Sequence, residues 1–202
     1  MDSIAKLSQV AAPKTRRGQA TLEKILLAAE SEFAEKGFHD GSISGIAHRA
    51  GIGQGTFYLY FKCKEDVLRE LVLFINRSLR ALLSEAIIDV SDRIDAERIG
   101  LRTFLEYIQA HPGLYRILQE SQFVDPEVYR AYYESFAQGY NDALMAAQQR
   151  GGIRDGDTEA WTWSMMGMMH FIGQRFVVWD TERTLDDIVD STIDLLSHGL
   201  KP

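Results

Sequence analysis

The stretch Ser42–Phe61, SISGIAHRAGIGQGTFYLYF, decides the fold of this chain. It predicts two short helices, because Ser42 can cap a first helix that Gly51-Ile52-Gly53 breaks before a second begins. Helices that cross steeply need small residues where their backbones touch, and Ala47 and Gly51 supply them. Apolar residues for a shared core are Ile43, Ile46, Ala50, Ile52, Phe57 and Tyr60. The pattern is typical of a helix-turn-helix, and it leaves open a plain helical hairpin within a bundle.

The polar residues outside this small core suit contact with nucleic acid. They can donate to phosphates and base edges: Arg49, Gln54, Thr56, Tyr58 and Lys62. Residues 41–64 hold three basic side chains and no acidic one, whereas the whole chain has a formal net charge of −7. Residues 1–70 have 10 basic and 9 acidic side chains, net +1, and residues 71–202 have 12 and 20, net −8. This asymmetry predicts two parts with different partners, and solvated faces that merely differ in sign are the alternative.

Nearly every other segment has helical periodicity. Leu22, Ile25, Leu26, Ala29 and Phe33 lie on one face of an amphipathic helix. Gly37 is placed to end that helix in a left-handed cap. Further helices are predicted at about 42–50, 54–60, 64–89, 94–110, 114–119, 126–150, 157–179 and 184–198. No run alternates with a period of two over a convincing length, so we predict an all-α fold.

Composition excludes several classes of protein. A chain of 202 residues with 46% apolar side chains is too apolar to be disordered and long enough to bury a core. It has no apolar run near the roughly 18–20 residues of a membrane span, and its first 20 residues are too polar for a secretory signal. Cys63 is the one cysteine of the sequence, which excludes an internal disulfide framework. We predict a cytoplasmic protein without a membrane partner.

The sequence also lacks the patterns of a catalytic centre. It shows no paired carboxylates, phosphate-binding loop, nucleophile elbow or His/Cys metal spacing. We therefore predict that the chain is not an enzyme and carries no metal or cofactor. Cys63 is interpreted as incidental, because nothing in the sequence lowers the pKa of its thiol as a redox role requires.

A family resemblance covers roughly residues 16–70. Residues 46–67, IAHRAGIGQGTFYLYFKCKEDV, are similar to the motif IAxxAGvsxGTxYxYFxxKexL of the TetR family of one-component transcriptional regulators. Residues 33–38, FAEKGF, are similar to the end of that family's first helix. The resemblance implies a three-helix DNA-binding domain with a helix-turn-helix at 1–66 and a larger all-helical ligand-binding and dimerisation domain at 67–202. One departure is Gly53, where the family usually has a capping serine whose hydroxyl meets a phosphate.

The resemblance also implies which residues contact DNA. Gln54, Gly55 and Thr56 would open the recognition helix and face the major groove, where Gln54 can pair with an adenine edge. Lys64 would meet a phosphate together with the amide groups at the start of its helix. Further implied contacts with phosphates or base edges are Ser42, Arg49, Tyr58 and Tyr60, of which Tyr60 fits the core equally well.

The segment that precedes the first helix is basic. Up to Thr21 it holds Lys6, Lys14, Arg16 and Arg17 against Asp2 alone. Arg16 and Arg17 are predicted either to enter the minor groove as a flexible arm, as basic arms do elsewhere, or to belong to a disordered tail.

The acidic C-terminal part holds more apolar and aromatic surface than one helix face can bury. Tyr129, Tyr132, Tyr133, Phe136 and Tyr140 recur at helical spacing, and residues 161–171 are apolar almost all round. Such a helix needs a cavity, a second subunit or both, and we predict both. The last two helices resemble the family's dimer interface. The predicted pocket residues are Tyr107, His111, Tyr115, Phe123, Tyr129, Tyr133, Phe136, Trp163, Met166 and His170, with structural roles as the alternative for both histidines.

These observations predict a homodimeric repressor that binds a near-palindromic double-stranded DNA operator. A small hydrophobic or aromatic effector would release it, because the effector prefers a state in which the recognition helices are wrongly spaced. The alternative is a regulator of the same fold that is controlled by a protein partner, or that acts as an activator without a small effector.

Overall fold

The computed structural model describes residues 3–10, 13–179 and 182–200. Regular structure within these residues is helical and includes no strand, so the all-α prediction is confirmed. The α-helices are α1 (Arg16–Asp40), α2 (Ile43–Arg49), α3 (Gln54–Phe57), α4 (Lys64–Ala86), α5 (Arg93–Ala110), α6 (Leu114–Val124), α7 (Pro126–Gln149), α8 (Thr158–Gly173) and α9 (Leu185–His198). A 3-10 helix, Ser3–Leu7, precedes them, and a π-helical segment, Gln174–Trp179, follows α8. No helix in the described ranges has both the length and the apolar character that a membrane span requires.

Four helices begin where their capping residues predicted. Ser42, Asp157 and Thr184 each precede a helix, and the side chain of each accepts a hydrogen bond from the N–H group three residues later. Asp125 caps α7 in the same way, because its Oδ1 accepts from the N–H of Val128 at 3.2 Å. These bonds satisfy amide groups that the first turn of a helix leaves without an intrahelical partner. The capping predictions are therefore confirmed.

Several helix ends differ from the prediction, among them those of α1, α3 and α6. Gly37 has the expected positive φ, 81°, but the chain continues beyond it as a helical turn to Asp40. Helix α3 ends at Phe57 and not at residue 60, because the next N–H groups bond mainly to carbonyls three residues back and form turns. Helix α6 continues past the predicted residue 119 and ends at Val124. The next residue, Asp125, precedes Pro126 and has φ and ψ values outside the helical region.

The described residues form two compact units. The first comprises those up to Arg77 together with Pro112–Ser135, and the second comprises Ser78–His111 together with those from Phe136 onward. Fully buried side chains in the first core include Phe33, Ile46, Phe57, Phe61, Leu68 and Leu71. In the second unit α5 packs against α9, and its buried side chains include Leu101, Leu105, Ile188, Val189 and Ile193. The predicted domain boundary after residue 66 divides the chain by function, into a DNA-binding and a ligand-binding part, and it stays a prediction.

The segment before α1 packs within the first unit and reaches α4. Ile4, in the 3-10 helix, is 2% exposed. The N–H of Gln9 donates to the buried carboxylate of Glu70 at 3.1 Å. Residues 1–2 and 11–12, which the sequence prediction included in a basic arm, lie outside the described residues.

Arg16 and Arg17 are the first two residues of α1, with exposed side chains. Thr15 caps this helix, since its Oγ1 accepts from the N–H of Gly18 at 3.0 Å. Both interpretations of the two arginines, flexible arm and disordered tail, are therefore wrong, because the helix and its cap order their backbone. Contact of their side chains with DNA stays a prediction.

Candidate nucleic-acid interface

Helices α2 and α3 rest on a small buried core. Ile46, Ala47 and Phe57 are at most 2% exposed. In the turn Gly51 has a φ of 66°, a left-handed conformation that a residue with a β-carbon adopts only at a cost. The N–H of Ile52 donates to the carbonyl of Ala47 at 3.0 Å and closes the turn. The predicted arrangement, two short helices joined at Gly51, is confirmed, and the core burial holds α3 against α2.

A buried carboxylate that sequence reasoning missed joins α1 to α2. Glu32, in α1, is fully buried. Its Oε1 accepts from the N–H of Ser42 at 3.2 Å and from Nζ of Lys36 at 2.9 Å, and its Oε2 accepts from Nε of Arg49 at 2.8 Å. Burial alone would raise the pKa of this carboxyl, but the bonds from Lys36, Arg49 and Ser42 outweigh it and lower the pKa to about 2. Glu32 is therefore ionised at neutral pH.

Arg49, a predicted phosphate contact, binds carboxylates within the protein. Besides its bond to Glu32, its Nη2 donates to Oε2 of Glu35 at 2.5 Å. The hydrogen bonds to Glu32 and Glu35 raise the pKa of the guanidinium. The first role that the structure gives Arg49 is thus to tie the end of α2 to α1, and its phosphate contact stays a prediction.

Lys64 likewise has partners within the first unit. Its Nζ donates to the carbonyl oxygens of His39 and Gly41, both at 2.9 Å, and lies 4.5 Å from the centroid of the Phe38 ring. These contacts fix the start of α4 against the end of α1. The three N–H donors of an ammonium leave one for a phosphate, so the predicted contact remains geometrically open.

The surface of α3 carries the residues predicted to contact bases. Gln54 and Gly55 are exposed, Thr56 is half-buried and Tyr58 is 53% exposed. Gly53 precedes the helix without a side-chain cap, as the missing hydroxyl predicted. Leu59 is 82% exposed and was missed, because an apolar residue between two tyrosines gives no sign of facing solvent.

Two other residues that were predicted to contact DNA form hydrogen bonds within the protein through their hydroxyl groups. The hydroxyl of Tyr60 donates to the carbonyl of Gly18 at 3.3 Å, and its ring is half-buried, which agrees with the core alternative. The hydroxyl of Ser42 accepts from the N–H of Gly45 at 3.0 Å as the cap of α2. Contact of either hydroxyl with a phosphate stays a prediction.

Comparisons with known proteins place this geometry in a family. Residues 25–71 match the family model described as bacterial regulatory proteins, tetR family. The transcriptional regulator EthR of Mycobacterium tuberculosis is 31% identical over 156 residues, which cover 72% of this chain and 71% of EthR. The chain belongs to the TetR family. It is a transcriptional regulator with a helix-turn-helix, and the proteins that it resembles are regulators and not enzymes.

Solved structures of the same fold extend over nearly the whole chain. The fatty acid degradation regulator FadR of Bacillus halodurans superposes with a TM-score of 0.82 at 23% identity, covering 94% of this chain and 99% of FadR. FadR of Bacillus subtilis, solved in complex with stearoyl-CoA, superposes with a TM-score of 0.74 at 24% identity, covering 89% and 99%. The likeness therefore includes the helices that follow the DNA-binding part.

Six of the predicted pocket residues of this TetR-family chain lie in the second unit. The rings of Tyr107 and His111 stack with their centroids 4.2 Å apart. Phe136, Met166 and His170 are half-buried, and burial lowers the pKa of His170. Trp163 is 46% exposed, because α8 turns it towards solvent, and its place in a pocket stays a prediction.

The other four predicted pocket residues lie in the first unit. Tyr115 is buried, and the half-buried rings of Tyr129 and Tyr133 meet edge to face with centroids 5.1 Å apart. Burial raises the pKa of Tyr133, which keeps its hydroxyl protonated. Phe123 is 83% exposed, since the buried face of α6 is made by other residues, and its role in lining a pocket stays a prediction.

A second buried carboxylate was missed in the second unit. Glu97, on α5, is 3% exposed and accepts hydrogen bonds from the guanidinium of Arg93 and the hydroxyl of Tyr140. The sequence showed Tyr140 as part of an aromatic stripe and gave no sign of its partner, because the two residues are 43 positions apart. Burial and the nearby carboxylate raise the pKa of Tyr140.

Neither a metal site nor an activated thiol is found among the residues that the structure describes. In the part of the chain that the structure describes, no group of three or more His, Cys, Asp or Glu side chains is placed to hold a metal ion. Cys63 is half-buried, and burial raises the pKa of its thiol, which disfavours the reactive thiolate.

Proposed function

We propose that this regulator is a homodimeric repressor that leaves a near-palindromic operator when it binds a small hydrophobic effector. The observation that carries operator binding is the exposure of Gln54, Gly55 and Tyr58 around a helix whose Phe57 is fully buried. Donors for base edges and phosphates then project from a rigid support, as sequence readout in the major groove requires. Because an operator lies on the bacterial chromosome, we place the protein in the cytoplasm.

The proposed dimer uses the last helical segments of the second unit. Their large exposed apolar side chains are Trp163, Phe171, Val178, Trp179 and Leu195. Apolar surface of this extent on a monomer usually marks a contact with another protein, and a second copy of the chain covers it symmetrically. A two-fold dimer presents two recognition helices to half-sites about 34–36 Å apart.

For the effector we propose a fatty acyl-CoA thioester. One support is the likeness to FadR of Bacillus subtilis, whose structure contains stearoyl-CoA. Another is the abundance of half-buried aromatic and methionine side chains on the helices of the second unit, among them Tyr107, Phe136 and Met166. Methionine side chains, which are flexible and polarisable, adapt to long apolar ligands. We include His111 and His170 in the proposed site as candidate hydrogen-bonding groups.

Release follows from differential affinity. An effector shifts the protein away from DNA only if it binds more tightly to the state whose recognition helices fit the operator poorly. A tenfold loss of operator affinity requires a coupling free energy of about 1.4 kcal/mol. Helix α4 is the proposed pivot, because its residues belong in part to the first unit and in part to the second.

The test begins by selecting genomic fragments that bind the full-length protein and measuring their affinity by fluorescence anisotropy. We expect a steep fall of affinity with salt, and at least a tenfold loss on addition of stearoyl-CoA but not of free CoA. Gln54→Ala should relax preference at one base pair by about 1–3 kcal/mol. The matched control is Lys62→Ala, which should weaken all sequences alike.

The outcomes separate the parts of the proposal. Failure to enrich any fragment, or an affinity that does not change with salt, refutes operator binding. The proposed effector is refuted if the protein binds its operator normally and neither stearoyl-CoA nor shorter acyl-CoA thioesters change this binding or raise the melting temperature. That result favours control by a protein partner.

A further inference from the structure

Helix α2 has half of a capping box in its own sequence. In this motif the side chain of the N-cap residue accepts from the N–H three residues later, and a Glu or Gln at that later position accepts from the N–H of the N-cap. Ser42 makes the first bond, since its Oγ accepts from the N–H of Gly45 at 3.0 Å. Gly45, which stands where the Glu or Gln belongs, has no side chain to make the second.

Glu32 of α1 makes the second bond from outside the helix. Its Oε1 accepts from the N–H of Ser42 at 3.2 Å. A β-carbon placed on Gly45 would overlap Oε1 of Glu32 and lie 2.8 Å from Oε2. The carboxylate of Glu32 therefore occupies the space, and forms the hydrogen bond, that belong to the missing side chain. Gly45 does not have a positive φ, so close approach to Glu32 is the reason that a glycine suits this position.

The same carboxylate reaches the other end of α2. Its Oε2 accepts from Nε of Arg49, the last residue of the helix, at 2.8 Å. A helix of seven residues is only about 10 Å long, so one buried side chain can hold both ends. Lys36, one turn further along α1, donates to Oε1 at 2.9 Å and compensates part of the buried charge.

We propose that Glu32 is the positioning residue of the helix-turn-helix, completing the capping box of α2 from α1 and thereby setting where α2 and α3 stand on α1. The operator readout of this inference rests on the proposed function. An ordinary capping box stabilises only its own helix, whereas this one joins two helices. Loss of Glu32 therefore displaces the reading surface without removing any group that faces DNA, and Arg49 acts as its second anchor.

The test exchanges the source of the carboxylate. Glu32→Ala empties the space beside Gly45, and we expect operator affinity to fall roughly 10- to 100-fold, because a cap and a buried ion pair are lost. Gly45→Glu alone should be comparably weak, since it forces a second carboxylate against Glu32. In the double variant Glu32→Ala/Gly45→Glu the introduced side chain can reach the N–H of Ser42 and, one turn on, Arg49. We expect it to recover at least tenfold of the lost affinity.

The matched control is the double variant Glu32→Ala/Gly45→Ala. It has the same empty space and a better helix former than glycine, but it has no carboxylate. Recovery with Gly45→Glu and not with Gly45→Ala assigns the effect to the capping bond. Glu35→Ala, which removes the other and exposed partner of Arg49, should change affinity by less than about threefold.

Two further readouts distinguish positioning from other roles. The salt dependence of operator binding should be the same in the wild type and in Glu32→Ala/Gly45→Glu, because both keep a carboxylate for Arg49 and neither removes a group that faces DNA. Hydrogen exchange at the amide of Ser42 should accelerate in Glu32→Ala and slow again in the Gly45→Glu double variant. Far-UV circular dichroism shows whether each variant is folded, and Glu32→Gln, whose amide oxygen can still accept from Ser42, should fall between the wild type and Glu32→Ala.

The inference is overturned if the two double variants bind alike, or if folded Glu32→Ala binds as the wild type does. If the wild type binds no operator, the proposed function fails, and exchange at the Ser42 amide decides the capping role by itself. Unchanged exchange in Glu32→Ala then overturns it as well.

Discussion

Replacement of Lys64 by methionine tests how the start of α4 is held in the first unit. The ammonium of Lys64 donates to the carbonyls of His39 and Gly41, both at 2.9 Å, and lies 4.5 Å from the ring centroid of Phe38. Gly41 is buried, so its carbonyl oxygen loses a partner that solvent does not readily replace. His39 is exposed, and its carbonyl can turn to water instead. Methionine keeps most of the stem and removes the charge.

The expected loss of stability follows from these contacts. A hydrogen bond from a charged donor contributes about 1.5–3 kcal/mol, and an exposed cation–π contact contributes about 0.5–1 kcal/mol. We count the Gly41 bond at its lower value, add the ring contact and neglect the His39 bond, which gives about 2 kcal/mol. For a chain of about this size the melting temperature then falls by about 4–8 °C.

The assay combines urea unfolding with operator binding at several salt concentrations. Lys64→Met should lower the free energy of unfolding by about 2 kcal/mol. If the remaining N–H of the ammonium meets a phosphate, the slope of log K against log salt should also fall by about 1. Lys62→Met is the control, because it removes the same charge from an exposed side chain two residues away and should leave stability within about 0.5 kcal/mol. Equal stability of Lys64→Met and wild type would refute the reasoning about the carbonyls, and an unchanged slope would refute the phosphate contact.

Three other perturbations address the buried polar groups. Asp125→Ala removes both the cap of α7 and one of the two carboxylates that pair with Arg69, whose Nε donates to Oδ2 of Asp125 at 2.5 Å. We expect urea unfolding to show a loss of about 2–4 kcal/mol, and a loss below about 1 kcal/mol would contradict this. Tyr140→Phe removes one of the bonds to buried Glu97, and the melting curve should show a loss of about 1–3 kcal/mol, which Tyr58→Phe, at a side chain 53% exposed, should not reproduce. The folded pKa of Glu32, about 2, lies below the reference value of 4.5, so its stabilisation is complete above pH 4.5 and disappears as the pH falls towards 2. Glu32→Gln should therefore flatten that part of the stability profile, and an identical acid limb in wild type and variant would contradict it.

Local rules explain why so much of the fold could be predicted. A cap, a glycine with positive φ or a helical period depends on residues within about four positions of one another, so Ser42, Asp157 and Thr184 mark helix starts without reference to the rest of the chain. The helix-turn-helix is equally local, because the N–H of Ile52 bonds back to the carbonyl of Ala47 across the turn at Gly51. The end of α3 was missed for a related reason, since a turn of bonds three residues apart has nearly the same periodicity as a helix.

The sequence by itself determined the helical class, the starts of the helices, the helix-turn-helix and the family. Only the tertiary structure decided which polar side chains are exposed and which hold the protein together. Glu32 reaches Ser42 across 10 positions, and Lys64 reaches His39 across 25, so neither partner is visible in a local pattern. Exposure of Phe123 and Trp163 was decided in the same way, because burial depends on which elements pack over a helix face. A charged or aromatic residue carries its chemistry in the sequence, but its neighbours are chosen by the packing of segments that are distant along the chain.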